Sequence, residues 1–448
     1  MRAFLFLPNT IHKTKKRDLS TNDVVIFMEH PYYFSRYKFH KQKLILHRAS
    51  MKAYAESIVK KNIKVIYIEH DKNLRTTIEE LKINEISTYD PIDIEMKDQL
   101  NKLKLVKINF LPNPGFLYTK SDLNSFHEKV KDHKRVSHGT FYKWSLEKNP
   151  ELKNLINENL DRENRKVYRG PNVNNNEKNI NIHVSEAIKY VEKNFPDTYG
   201  YSADFKYPVT HAQASKWFDT FLENRLIHYG DYQDSYHPTD EILFHSCISS
   251  SLNCGLITVR YCLDKCLQKY NTLKKKISLN NFEGFIRQLI GWREYMKFIY
   301  EYYHDEVISK NVLKCNKKIS KYWYEIEGHG LEPVDDIVRQ ALQSGYMNHI
   351  QRLMVILNYM ILSEITPSDI FVWFMEISID SYDWVMIPNI YAMGGFTNKF
   401  MSRPYLSSSK YLLRMGWPKG DWTEIWDERY RSFLKKRKNN KYLSFYNR

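Results

Sequence analysis

Glycine is missing from the first 114 residues of this 448-residue chain; the first one is Gly115. Neither a G-x-G-x-x-G turn nor a Walker loop can therefore form there, and a glycine cradle for phosphate is excluded from that part. Cysteine is scarce. There are five, an odd number, at Cys247, Cys254, Cys262, Cys266 and Cys315, and none forms a C-x-x-C pair. That excludes a disulfide scaffold and fits a reducing compartment. Cys262 and Cys266 share a helix face, but two thiols do not close a metal site, so buried thiols are expected. No apolar run approaches the ~20 residues of a membrane span, and residues 3–7 are too few for a signal peptide. A soluble intracellular protein is the expectation, cytoplasmic or associated with DNA in the nucleus. No internal repeat is visible.

Basic residues and aromatics are plentiful. Lys and Arg number 68 against 52 Asp and Glu, a formal charge of +16, which favours a polyanionic partner such as nucleic acid. Aromatics make up 15% of the chain, including 33 Tyr, more than a core needs. Stacking surfaces or an aromatic redox chain become worth seeking. The run Lys435-Lys436-Arg437-Lys438 reads as a solvated basic tail or a phosphate contact.

The first ~110 residues alternate short apolar runs with helical patterns. Strands are expected at 3–7, 24–28, 64–68 and 106–110, and helices at 41–60 and 74–81. This is βαβ alternation, which predicts a doubly wound parallel sheet of the Rossmann-like α/β type. Residues 149–182 are polar and Asn-rich, a linker or surface loop. From about 210 the pattern turns helical, with long apolar-periodic stretches at 282–303, 333–345 and 346–363. Eight of the nine Trp lie at or beyond Trp217. The expected division is an α/β domain over 1–130, a linker over 131–205 and a large all-α domain over 206–448.

Four constellations carry chemistry. Ser246, Ser249, Ser250 and Ser251 precede a helical run, where hydroxyls and free N–H groups make a phosphate site. Tyr232 and Arg293 are candidates for further phosphate contacts. The run from Phe285 to Tyr295 sets Arg287, Trp292, Arg293 and Glu294 on a mostly apolar helix. Buried charges need partners, so Arg293 should face an anion or carboxylate; Trp292 is explained as well by packing. After Gly345, helical spacing brings Asn348 and Arg352 together at i,i+4, with His349 on the next stripe. Asp380-Ser381-Tyr382-Asp383-Trp384 precedes Pro388-Asn389, and an Asp between apolar stretches can anchor a polar ligand ring.

Taken in order, these segments resemble the photolyase/cryptochrome family. The matching text is Ser137–Tyr142, Asp161–Lys166, Phe244–Ser246, Arg287–Tyr295, Tyr346–Met354, Asp380–Asn389 and Arg403–Tyr405. The resemblance covers nearly the whole chain and is nearest to the prokaryotic (6-4) photolyase branch, the iron–sulfur bacterial cryptochromes and photolyases. It implies an α/β antenna domain joined to a helical FAD-binding domain, a monomer, and UV-damaged DNA as partner. Tyr232, Ser246, Ile248 and Ser249 match the stretch that binds the FAD phosphates, Arg293 an arginine beside them, and Asp380 an aspartate near the flavin ring and ribose. His349 falls where (6-4) enzymes carry their proton-donating His and cyclobutane-dimer enzymes carry Asn. Trp292 and Tyr405 match the lesion pocket, and Trp373 and Trp323 a chain that photoreduces the flavin. A ribityl-lumazine antenna, 6,7-dimethyl-8-ribityllumazine-like, is expected near Glu29 and residues 30–34.

The chain departs from that pattern in three places. The branch holds a four-iron cluster on four C-terminal Cys, but here the last cysteine is Cys315. A cluster needs four thiolates, so none is expected; Trp417, Trp422 and Trp426 would fill the space. Asn348 replaces a second His, and Met386 stands roughly where relatives place a polar group near flavin N5. The leading expectation is light-driven (6-4) repair. The alternatives are a cryptochrome photoreceptor, cyclobutane-dimer repair or a purely structural nucleic-acid binder.

Overall fold

The computed structural model describes residues 1–14, 24–60, 63–156, 160, 164–173, 178–179, 181–273, 276–326 and 328–447. Asp161 to Glu163, in one of the matching segments, and Asn174 to Asn176, in the Asn-rich stretch, lie outside them. Two compact units emerge. One comprises Met1–Leu117, Asn176–Asp219 and Cys247–Cys262; the other comprises Tyr118–Asn175, Thr220–Ser246 and Leu263–Arg448.

The first unit is built on five parallel strands: β1 (Arg2–Phe6), β2 (Val24–Met28), β3 (Val65–Ile68), β4 (Glu85–Tyr89) and β5 (Lys107–Leu111). Their order is β3-β2-β1-β4-β5, a doubly wound sheet. Ala3 pairs with Val24 on one side and Ile86 on the other. β2 is Val-Val-Ile-Phe-Met and buried throughout, as an inner strand covered on both faces must be. The sequence reading missed β4, whose Glu85-Ile-Ser-Thr-Tyr has no apolar run, and the helix Ile94–Asn101 after it. The helix Lys41–Val59 packs against Ile182–Asn194, so part of the stretch read as a linker covers the sheet unit.

The second unit is helical. Its long central helix runs as Leu279–Ile286, a π-helical stretch Arg287–Arg293, then Glu294–Ile308. Two more π stretches, Gln351–Leu357 and Pro388–Met393, lie in segments the sequence singled out. A π turn widens the helix and re-aims side chains, a device frequent at functional sites. The stretch 131–205 also holds the helices His138–Glu147 and Pro150–Leu155 in this unit. Glu332–Ser344 ends where Gly345 turns left-handed at φ 67°. The next helix begins later than position 346. Asn348 is its cap: its Oδ1 accepts from the Gln351 N–H at 3.0 Å, while its own N–H donates to Gln351 Oε1 at 2.8 Å. Asn348 is therefore engaged with Gln351 rather than paired along the helix face with Arg352.

Candidate active site

Three of the expected pocket residues come together with Arg352. The π turn at 287–293 carries Trp292, and the helix capped by Asn348 carries His349. Their rings meet edge to face at 5.0 Å and 73°. The Trp292 Nε1–H is buried with no hydrogen-bond partner among the described residues. One turn along from His349, Arg352 donates from Nη2 to Asp380 Oδ1 at 2.7 Å and from Nε to the Met347 carbonyl at 2.8 Å. Both ends of this ion pair are 8% exposed. Burial first, then Arg352, His138 and His245, push the His349 imidazole down to about 3, so it is neutral at pH 7.

Arg293, the last residue of the π turn, is buried, and its guanidinium lies 4.7 Å from the Trp384 ring centre. Met386 is fully buried on the short helix Asp383–Ile387. The central helix packs on this segment and on the π turn Pro388–Met393. There Asn389 is buried, and its Oδ1 has no partner among the described residues.

Trp373 and Trp323 are both buried, with ring centres 6.1 Å apart at 75°, and the Trp373 Nε1–H donates to the Trp323 carbonyl at 2.8 Å.

Tyr232 stacks on Phe244 at 5.2 Å and meets Tyr168 edge-on. It belongs with Ser246 to the helical unit, whereas Ile248 and Ser249 belong to the α/β unit. The helix Ser249–Cys254 is only six residues long. Tyr405 is 38% exposed. Glu29 is fully buried in the α/β unit. Its Oε1 accepts from Arg48 at 2.7 Å and the Tyr67 hydroxyl at 2.8 Å; its Oε2 accepts from Tyr190 at 3.1 Å and the His70 N–H at 3.3 Å. Arg48 also binds Glu69 and Glu186. Glu29 is thus committed to an internal network, and a pigment could reach it only by displacing one of these donors.

The basic tail is tied down as well. Lys436 and Arg437 both bind Glu364, and Arg437 also donates to the Leu313 and Lys314 carbonyls. Burial opposes it, but Lys317, Lys436 and Arg437 hold the Glu364 carboxyl down to about 2.

A four-iron cluster does not fit the C-terminal part. All five cysteines are buried, and none follows Cys315. In the region where the resemblance places the ligands, Trp417 stacks on Tyr236 at 3.8 Å, and Trp422 and Trp426 are buried.

Sequence reasoning missed the Arg352–Asp380 pair because 28 residues separate its members. The need of a buried Asp380 for a cation was the available signal. It also missed His138, whose ring stacks on Tyr142 at 6.3 Å and 11° and whose Nε2 would lie 3.1 Å from a Cβ placed on Gly291, beside Trp292.

Comparison with known proteins agrees with this architecture. Residues 7–207 match the family described as deoxyribodipyrimidine photo-lyase-related protein. A (6-4) photolyase of Agrobacterium fabrum is 32% identical over 238 residues, 52% of this chain and 46% of that protein. The match thus spans under half of the relative's length. The uncharacterized protein R853 of Acanthamoeba polyphaga mimivirus is 44% identical over 114 residues, 25% of this chain and 85% of that protein. Among solved structures, the Synechocystis sp. PCC6803 cryptochrome superposes with a TM-score of 0.60 at 13% identity, covering 98% of this chain and 89% of its own. A bacterial class III photolyase from Agrobacterium tumefaciens gives 0.57 at 16% identity, covering 98% of each chain. Residues 7–207 thus match the photolyase-related family, and the chain as a whole has the fold of that cryptochrome and that class III photolyase.

Proposed function

We propose that this protein is a DNA photolyase that repairs (6-4) photoproducts with FAD and light. The observation that carries the reading is the Trp292–His349 pair standing next to the buried Arg352–Asp380 ion pair. A flat heterocycle has hydrogen-bonding edges, and the chain offers matching groups: the Asp380 carboxylate, the Arg352 and Arg293 guanidiniums, and the Asn389 Oδ1, which has no partner among the described residues. These residues fit a flavin and would hold it. Bound as FADH⁻, the cofactor supplies the light-driven electron; the protein supplies position and electrostatics.

The rest of the chemistry belongs to the chain. A lesion taken out of the duplex costs a few kcal/mol, less where damage has already weakened stacking. Trp292 offers an apolar wall and an N–H, and exposed Tyr405 a second ring. His349 gives a proton to the base and regains it as the hydroxyl moves between bases. Its low proton affinity follows from desolvation and from the cations around it. A DNA phosphate or a negatively charged lesion reverses that balance, because an adjacent anion favours imidazolium. A cyclobutane dimer needs no such proton, and an asparagine would serve it.

The fully buried, apolar Met386 favours a second reading, a blue-light receptor of the cryptochrome type. An antenna pigment in the α/β unit would be held by groups other than Glu29, and no step depends on it.

Repair of a defined (6-4) oligonucleotide under blue light by reduced enzyme tests the proposal. Activity on cyclobutane dimers alone, or on neither lesion, would overturn it.

A further inference from the structure

His349 takes its direction from the backbone. Among the described residues neither of its ring nitrogens has a hydrogen-bond partner, and the ring it meets is Trp292. It is the first helical residue after the Asn348 cap. The backbone angles set at that cap therefore fix where its Cα–Cβ bond points.

The cap is held by two further side chains. Gln351, 4% exposed, is the hub. Its backbone N–H and its Oε1 exchange bonds with Asn348 at 3.0 and 2.8 Å. The same Oε1 accepts from Gln340 Nε2 at 3.2 Å, and Gln351 Nε2 donates to Gln340 Oε1 at 2.9 Å. Gln340 Nε2 also donates to the Tyr346 carbonyl at 3.0 Å. Gln340 lies on the preceding helix, Glu332–Ser344, on the far side of the left-handed turn at Gly345.

We infer that Gln351 and Gln340 are positioning residues for His349: through the Asn348 cap they hold its imidazole where it gives up its proton. The inference rests on the reading of His349 as the proton donor in (6-4) repair.

The bonding pattern makes this set a lock. Two primary amides face each other, oxygen to nitrogen on both sides. Turning either one over brings oxygen against oxygen and nitrogen against nitrogen. A turned Gln340 also points its Oε1 at the Tyr346 carbonyl, and a turned Gln351 points its NH2 at the Asn348 N–H. Each amide thus has one orientation. A buried amide left unbonded costs its desolvation, so the set forms whole or not at all. Asn followed three residues later by Gln is the reciprocal cap of a helix start, and Asn is among the best residues for it. The Trp292 ring bounds His349 on one side only. Misplacing a reacting group by about 1 Å can cost about 10²-fold in rate, so the remaining freedom has to be removed by the backbone.

Two variants test this. Gln351→Met keeps an unbranched chain and removes the side-chain bonds. Gln340→Met/Gln351→Met replaces both facing amides by apolar groups, a change that can be nearly neutral for stability. At unchanged FAD content and unchanged affinity for a (6-4) oligonucleotide, repair per absorbed photon should fall about 10- to 100-fold in both. Nuclear Overhauser contacts between the His349 and Trp292 rings, measured on the FAD-loaded protein without DNA, should weaken in both. In a His349→Ala background, Gln351→Met should change the residual repair no further. Wild-type repair by the double variant, unweakened ring contacts, or a further fall in the His349→Ala background would overturn the inference. If the wild type leaves the lesion intact while the ring contacts still weaken in Gln351→Met, the proton-donor reading falls and the positioning by the two amides stands.

Discussion

Arg352→Met is the most informative single change. It deletes the Nη2 bond to Asp380 and the Nε bond to the Met347 carbonyl, and leaves a carboxylate 8% exposed without its cation. Removing one partner of a buried ion pair costs about 3–5 kcal/mol, because the other charge stays desolvated. The lost bond to Met347 adds roughly 1 kcal/mol. Arg352→Met/Asp380→Asn removes both charges and should recover most of the loss. Urea unfolding of the FAD-free protein, followed by near-UV circular dichroism of its tryptophans, measures these terms. FAD affinity provides a second readout: if Asp380 meets the cofactor, each ~1.4 kcal/mol of misplacement weakens binding about tenfold. Arg352→Met also removes a cation that depresses His349, so the His349 imidazole should titrate higher by NMR. A cost below about 1 kcal/mol, or a double variant no better than the single, would refute the reasoning.

Four further outcomes are expected. His349→Ala should keep FAD and lesion binding while (6-4) repair falls by about 10²–10⁴-fold, the usual worth of a positioned proton donor; full repair by the variant would end that role. Arg48→Met should destabilise the α/β unit by about 3–5 kcal/mol, since it strands Glu29, and Glu29→Gln should return part of this, as measured by chemical denaturation. Stability should fall as the pH drops from 6.5 toward 4. His349 is held at about 3 and His30 and His138 at about 4, below their unfolded value of 6.5, so the unfolded chain binds the extra protons; a melting temperature flat over that window would contradict the assignment. Purified protein should carry FAD but no stoichiometric iron; iron at four per chain by elemental analysis would show that a cluster forms without C-terminal thiols.

The sheet was legible where burial wrote itself into the chain. Val24–Met28 is five consecutive apolar residues, which an inner parallel strand requires. β4 was not legible, because its register places Glu85 beside Lys107 and Ser87 beside Asn109. Its strand character comes from pairing with β1 and β5, not from composition. Single residues of the candidate site could be found by type and order; their partners could not. Nothing in the sequence joins Asp380 to Arg352, or Glu29 to Arg48 and Tyr190. The π turns were hidden for another reason: apolar spacing there still satisfies a helix, and one extra residue per turn leaves no compositional mark.

Those π turns bear on what lengths of chain the fold can accept. A helix with a widened turn holds one residue more than its end-to-end span requires. Deleting a single residue within Arg287–Arg293 would let the backbone close into regular α-helix, with better hydrogen bonding and no change in composition. The flanking segments would keep their relation, because the extra residue is taken up within the widened turn, but the side chains inside that turn would be re-aimed. Arg293 would then turn away from Trp384, and Trp292 would lose its angle to His349. A shortened chain could thus be as stable as the parent, or more so, and inert. In relatives, a one-residue gap in any of the three segments would be a change of side-chain aim and not a tolerated loop deletion.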